Sequence, residues 1–346
     1  MSGLKTRIQD LEKLLVLCFA TFLVMTGQGV VGPVVPLYAR DFGVSASVVG
    51  LTLTVFALAR LILNVPAGLI ADRFGRRVLL IGGPILTSIG MFGSGFANSI
   101  ESLLVWRFVA GAGSAFYMSG ALIYLIDIAP SDRRARYVAT NQWALSVGVA
   151  LGPGVGGLIA ERWGLASPFH VVGIVGIATA IYAAFRLPET KGSQDSIPKD
   201  SDTKSEVTKI IRSGPFLAIA FVTGTIFMTR AGTRATLVPL QADEALGWGP
   251  GQIGLIFTVT GIMTLFTLWP AAWATENISR GSVILFSGVA AGIGTFVISF
   301  SAAPLWFVIG NLIMTLGTGT AGPAPAAFVA DLFPERLRGL GIGLYR

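Results

Sequence analysis

The sequence predicts an all-α integral membrane protein, and three observations carry that prediction. Of 346 residues, 53% are hydrophobic and only 12% charged, with a mean hydropathy of +0.73. A soluble domain carries about a quarter charged residues, because its surface must face water. Apolar runs long enough to cross a bilayer as helix recur along the whole chain. The two halves also resemble each other at an offset of about 204 residues, the mark of an internally duplicated fold.

The expected spans fall at 14–37, 46–69, 78–97, 102–125, 138–160 and 167–187, then at 214–238, 251–273, 282–302 and 304–330. An eleventh starts near Arg338 and reaches Arg346. Met1–Lys13 is charged and polar and the run after it is long enough to span, so it does not read as a cleavable signal peptide. Cys18 and His170 are each the single residue of their type, which excludes an internal disulfide framework and a histidine-based metal cluster.

Orientation follows from the Lys and Arg residues of the short loops. With the N-terminus inside, the inner segments hold Lys5, Arg7, Lys13, Arg73, Arg76, Arg77, Arg133, Arg134, Arg136, Arg186, Lys191, Lys199, Lys204, Lys209, Arg212, Arg280, Arg336 and Arg338. The outer loops then hold only Arg40 and Arg162. The net charge of +7 therefore reflects membrane topology, not a nucleic-acid partner. Residues 189–212, rich in Ser, Lys and Asp, read as a flexible cytoplasmic linker. They separate an N-terminal unit of six spans, 1–188, from a second unit, 213–346.

The repeat is carried by ordered matches. Val35-Pro36-Leu37 recurs as Val238-Pro239-Leu240, Gly50-Leu51 as Gly254-Leu255, and Pro66 as Pro270. Asp72 with Arg76 matches Glu276 with Arg280, and Gly111-x-Gly113-x-Ala115 matches Gly317-x-Gly319-x-Ala321. Asp127-Ile-Ala-Pro130 is echoed by Asp331-Leu-Phe-Pro334. A second half built like the first would contain six spans, so the sequence reads as lacking most of span eleven and all of span twelve.

The loop between spans two and three runs Gly68-Leu-Ile-Ala-Asp72-Arg73-Phe-Gly75-Arg76-Arg77. Gly68 would permit close helix packing and Gly75 a tight turn. Asp72 suits a neighbouring helix N-terminus, and the arginines suit acids at adjacent helix ends. This spacing resembles the cytoplasmic loop motif of the major facilitator superfamily, with a degenerate copy at Ala272 to Arg280. The resemblance covers the chain and implies two bundles of six helices around a central cavity with alternating access. The loop would act as a conformational gate together with Asp127, placed to pair with Arg73 or Arg77.

Two further stretches resemble motifs of the family's proton-coupled members. In span four, Leu103-x-x-x-Arg107-x-x-Ala-Gly111-x-Gly113 departs from that pattern by carrying Ala110 where Gln is usual. An Arg inside a span costs roughly 2.5–3.5 kcal/mol on insertion scales, so Arg107 has either a role or a route to the outer interface. In span five, Gly148-x-x-x-Gly152-Pro153-x-x-Gly156-Gly157 offers a smooth face for another helix, bent by Pro153. It is similar to the motif of the family's drug:proton antiporters, which implies export. Leu187-Pro-Glu189-Thr-Lys191 also suits the family but discriminates little.

A proton-coupled carrier is expected to titrate a carboxylate within a span, and no complete span holds one near its middle. Span one offers Gln28; Arg60, Arg230 and Arg234 are the other candidate cavity residues, the last two spaced to share a helix face. A cavity lined by such cations would favour anions. The sequence thus predicts a transporter that exports small amphipathic molecules against a proton gradient. An organic-anion or metabolite carrier and a non-transporting fragment are the alternatives. No catalytic constellation, metal site or cofactor site stands out, and the expected setting is a monomer in the plasma membrane.

Overall fold

The computed structural model describes residues 2–130, 133–190, 210–301, 303–321, 328–329 and 332, and every regular element among them is a helix. In the first half these are α1 (Ser2–Val31), α2 (Val34–Arg40), α3 (Ala46–Phe74), α4 (Arg76–Gly95), α5 (Ile100–Ile128), α6 (Arg134–Trp163) and α7 (Ser167–Arg186). The second half has α8 (Gly214–Met228), a π-helical segment (Thr229–Leu237), α9 (Val238–Leu246), α10 (Pro250–Asn277), α11 (Arg280–Ser299) and α12 (Pro304–Thr320).

Among the described residues, nine helical stretches are long and apolar enough to cross a membrane. Gly32 and Pro33 break the first of them between α1 and α2, where the ring of Pro33 removes a backbone donor. The tenth expected span appears as α12 up to Thr320. Its remainder to residue 330 lies partly outside the described residues, as do most of the expected linker and the start of an eleventh span. The large apolar side chains left exposed, among them Val65 at 73% and Phe185 at 85%, suit lipid rather than water.

The chain forms two compact units. The first comprises residues 1–194 and 239–259, the second residues 195–238 and 260–346. In the first unit α4 packs on α5 and α7, α6 on α1, and α3 on α5. Small residues let these backbones approach: a Cβ at Gly113 would lie 2.6 Å from the Gly83 oxygen of α4, and one at Gly111 2.5 Å from the Phe56 oxygen of α3. The interior of this unit includes Leu17, Leu80, Tyr117, Tyr124 and Leu125. In the second unit α11 packs on α12, where a Cβ at Gly294 would lie 2.6 Å from Met314 Cα.

Candidate functional site

The loop after α3 turns at Gly75, whose φ of +95° is a conformation that side-chain-bearing residues rarely adopt. That turn delivers Arg76 to the first turn of α4, where its side chain is 4% exposed. Arg76 Nε donates to Asp127 Oδ2 at 2.9 Å, joining α4 to the last turn of α5. Its Nη1 donates to the carbonyl of Ala71 at 3.2 Å, in the last turn of α3, where a cation is favoured by the helix dipole. One guanidinium therefore ties three helix ends together.

The expected pairing of Asp127 with Arg73 or Arg77 is not the one made. Successive side chains on a helix diverge by about 100°, so Arg76 faces α5 while Arg77 Nη2 donates to the carbonyl of Ala184 on α7. Arg73 lies with its guanidinium carbon 5.2 Å from the ring centroid of Phe74. Asp72 approaches Arg76 Nη2 only to 3.9 Å and its side chain is 67% exposed, so it is the peripheral acid of this cluster. Among the described residues, a Cβ at Gly68 would meet nothing within 4 Å.

Glu189 and Thr190, which the sequence singled out only weakly, complete the cluster. Glu189 accepts from the backbone N–H groups of Arg76 at 2.9 Å and Arg77 at 3.2 Å, capping the N-terminus of α4 with a carboxylate. Thr190 Oγ1 donates to the same oxygen of Asp127 that Arg76 uses, at 2.9 Å. The signal for these roles was an acid directly after the Leu-Pro pair that ends the sixth span, in register with a helix start lacking its own capping side chain.

The span-four arginine is buried. Arg107 is 5% exposed, lies with its guanidinium carbon 4.6 Å from the Phe56 ring centroid and directs Nε at the Thr52 carbonyl at 3.4 Å. Burial against α3, not extension to an interface, is what the fold selects. Gln28 reaches from α1 to α5, donating from Nε2 to Ser114 Oγ at 2.7 Å, and Arg60 lies half-buried on α3.

The glycine string of α6 has two faces. Gly148 and Gly152 meet α1, where added Cβ atoms would fall 2.7 Å from the Phe22 oxygen and 2.5 Å from the Thr26 oxygen; Gly156 meets it at Val30. Gly157 turns to the first half of α10, with its Cβ position 3.0 Å from Gly254 Cα. Beside it, the backbone N–H of Gly154, just after Pro153, donates to Thr258 Oγ1 of α10 at 2.7 Å. Thr258 was not singled out from sequence, because one Thr among many carries no spacing signal. At the same end of this unit, Arg40 pairs with Glu244, and Leu240 is buried with Ala39, Val49 and Leu103. Asp41 lies beside these, its carboxyl raised above the usual range by burial and then by the charge of Asp243.

In the second unit the π-helical segment carries Arg230 and Arg234. The Val238 N–H reaches the carbonyl of Thr233 and Thr236 Oγ1 that of Ala231 at 3.1 Å, both five residues back. Arg230 Nη2 donates to the Thr318 carbonyl of α12, and Arg234 Nη2 to Thr260 Oγ1 of α10 at 2.8 Å. Among the described residues, no group of three His, Cys, Asp or Glu side chains could hold a metal ion.

Apolar helices packed through small residues, with charge clusters confined to helix ends and a few arginines at depth, define a multi-spanning membrane transporter rather than an enzyme. A family model described as Major Facilitator Superfamily matches residues 17–240 and 219–346, and the chain belongs to that family. It is 25% identical over 345 residues to an uncharacterised MFS-type transporter of Methanocaldococcus jannaschii, covering 97% of this chain and 87% of that protein. It is 25% identical over 326 residues to the quinolone resistance protein NorA of Staphylococcus aureus, covering 94% and 83%. Its fold is similar to the crystal structure of a bacterial homologue of the human lysosomal transporter Spinster in an inward-facing and occupied conformation. That match has a TM-score of 0.80, 17% identity, and covers 96% of this chain and 77% of that one.

Proposed function

We propose that this transporter exports small amphipathic molecules across the plasma membrane in exchange for protons, by alternating access, with its N-terminus in the cytoplasm. The observation that carries this reading is the contact of α6 with the first half of α10. There, a Gly-Pro-Gly string resembling the antiporter motif meets α10, its backbone closing on that of Gly254 and donating a hydrogen bond to the Thr258 hydroxyl. The similarity to a quinolone resistance protein supports export of the same broad kind. The Lys and Arg distribution supports the orientation.

In this mechanism the Arg76–Asp127–Glu189 cluster holds the basic-loop ends of α3, α4, α5 and α7 as one piece. Contacts of residues 239–259 with the opposite ends of the first unit form in one state and part in the other. Inverted membrane vesicles made from cells carrying this chain test the proposal. Proton-driven dye uptake that an uncoupler abolishes, and that Asp72→Asn or Asp127→Asn lowers, is the expected result. Uptake indifferent to the uncoupler would refute proton exchange; no uptake of dyes despite correct insertion would refute export of amphipathic molecules.

A further inference from the structure

Three helices of the second unit converge on a polar cluster that the gate and the α6–α10 contact do not use. The π-helical segment supplies Arg230 and Arg234, α10 supplies Thr260 and Thr264, and α12 supplies Thr315 and Thr318. The two arginines reach to different neighbours, one to α12 and one to α10, so the segment bridges both helices. Nearby, a Cβ at Gly319 of α12 would lie 2.7 Å from Thr267 Oγ1, which fixes α12 close beside α10. Thr315 is fully buried, and its hydroxyl has no hydrogen-bond partner.

The sign of the charge here is written in the sequence. Residues 214–238, 260–275 and 304–321 carry Arg230 and Arg234 and no Asp or Glu. π-helical segments are rare and are found frequently at functional sites, because the widened turn re-aims the side chains it carries. Here it puts two guanidinium groups, each with five donors in a planar fork, one turn apart. Hydroxyls of the facing helices add donors that can rotate toward an acceptor. Such a set suits an oxyanion with two or three acceptor oxygens.

We propose that this cluster binds the anionic head of the transported molecule, so that the substrate class is an amphipathic carboxylate or sulfonate. The proposal rests on the transport reading for its word substrate, but the binding site stands or falls independently of it. Binding is read on the purified full chain in nanodiscs of zwitterionic phosphatidylcholine, with dansyl-glycine and its uncharged isostere dansyl-glycinamide as probes. Dansyl-glycine is expected to bind at least about tenfold more tightly than the amide, the scale of one charge-assisted hydrogen bond. Arg230→Gln and Arg234→Gln each shrink that preference, weakening dansyl-glycine more than the amide.

Equal affinity for the two probes, or a preference that survives in the double Gln variant, overturns the site. Because a Gln variant that misfolds would be silent, competition on the unaltered protein gives a second reading. Benzenesulfonate is expected to displace dansyl-glycine and benzylammonium is not; the reverse order overturns the proposal. Anion binding without any uptake would leave the site standing and remove the transport reading. Dye export without any anion preference would do the opposite.

Discussion

At the scale of single residues, the side chains that matter most are those whose partners lie on another helix. Arg76 and Asp127 have side chains 4% and 1% exposed, so removing one leaves the other buried without its nearest counter-charge. Arg76→Gln or Asp127→Asn is expected to cost about 3–5 kcal/mol, the range for breaking a buried pair. A thermal unfolding scan in detergent would show it as a lowered midpoint. Asp72→Asn, exposed and 3.9 Å from its arginine, should change that midpoint little. Thr258→Val keeps the volume but removes the hydrogen bond from the Gly154 N–H, a loss of about 0.5–1.5 kcal/mol. Hydrogen exchange at the Gly154 amide is expected to speed by about an order of magnitude. The sequence placed Asp127 near the right loop but on the wrong arginines, because the choice among Arg73, Arg76 and Arg77 is a matter of helix rotation after Gly75.

At the scale of elements, the glycines of α3, α5 and α6 separate into those that pack and those that do not. Gly152→Ala would put a methyl 2.5 Å from the Thr26 oxygen and 2.7 Å from Gly29 Cα, and is expected to cost roughly 1–3 kcal/mol through overpacking. Gly68→Ala meets nothing within 4 Å among the described residues and replaces a poor helix former, so it should be neutral or stabilise by up to about 1 kcal/mol. Measured side by side, the two variants should move the unfolding midpoint in opposite directions or leave only the first one shifted. Their sequence context does not tell them apart, since both sit in small-residue patterns. What separates them is whether a neighbouring backbone stands opposite, which depends on the rotation and crossing of whole helices.

At the scale of the molecule, the division into units does not follow the midpoint of the sequence. Residues 239–259 come from the second half but pack with the first unit. This contact has a built-in pH dependence. Packing raises the Asp41 carboxyl above its ordinary range, through burial and the neighbouring Asp243 charge, so the packed form disfavours the ionised group. Arg40 and Glu244 flank the pair as an ion pair, and Tyr38 lies one turn away on α2. Above the raised value Asp41 is ionised and the contact is at its weakest. As pH falls through that value toward the ordinary carboxylate range, protonation relieves the repulsion and the contact tightens. Hydrogen exchange of residues 239–247 is therefore expected to slow, after correction for intrinsic rates, as pH is lowered from neutral toward the ordinary carboxylate range. Asp41→Asn should flatten that change.

Composition and the length of apolar runs were enough to establish a helical membrane protein, because a bilayer leaves the backbone few other ways to satisfy its hydrogen bonds. The spacing of Gly, Asp and Arg in the loop after α3 was enough to reach the family, since charges at helix ends act over short stretches of chain. Partner choice was not legible: Glu189 at the start of α4, Thr258 against Gly154 and Arg230 against Thr318 each join residues about 90 or more positions apart. Those pairings depend on how helices are rotated and packed, and the π-helical turn that aims Arg230 and Arg234 follows no periodicity of the sequence. The sequence determined which segments lie in the membrane; only the tertiary structure decided which of their side chains meet.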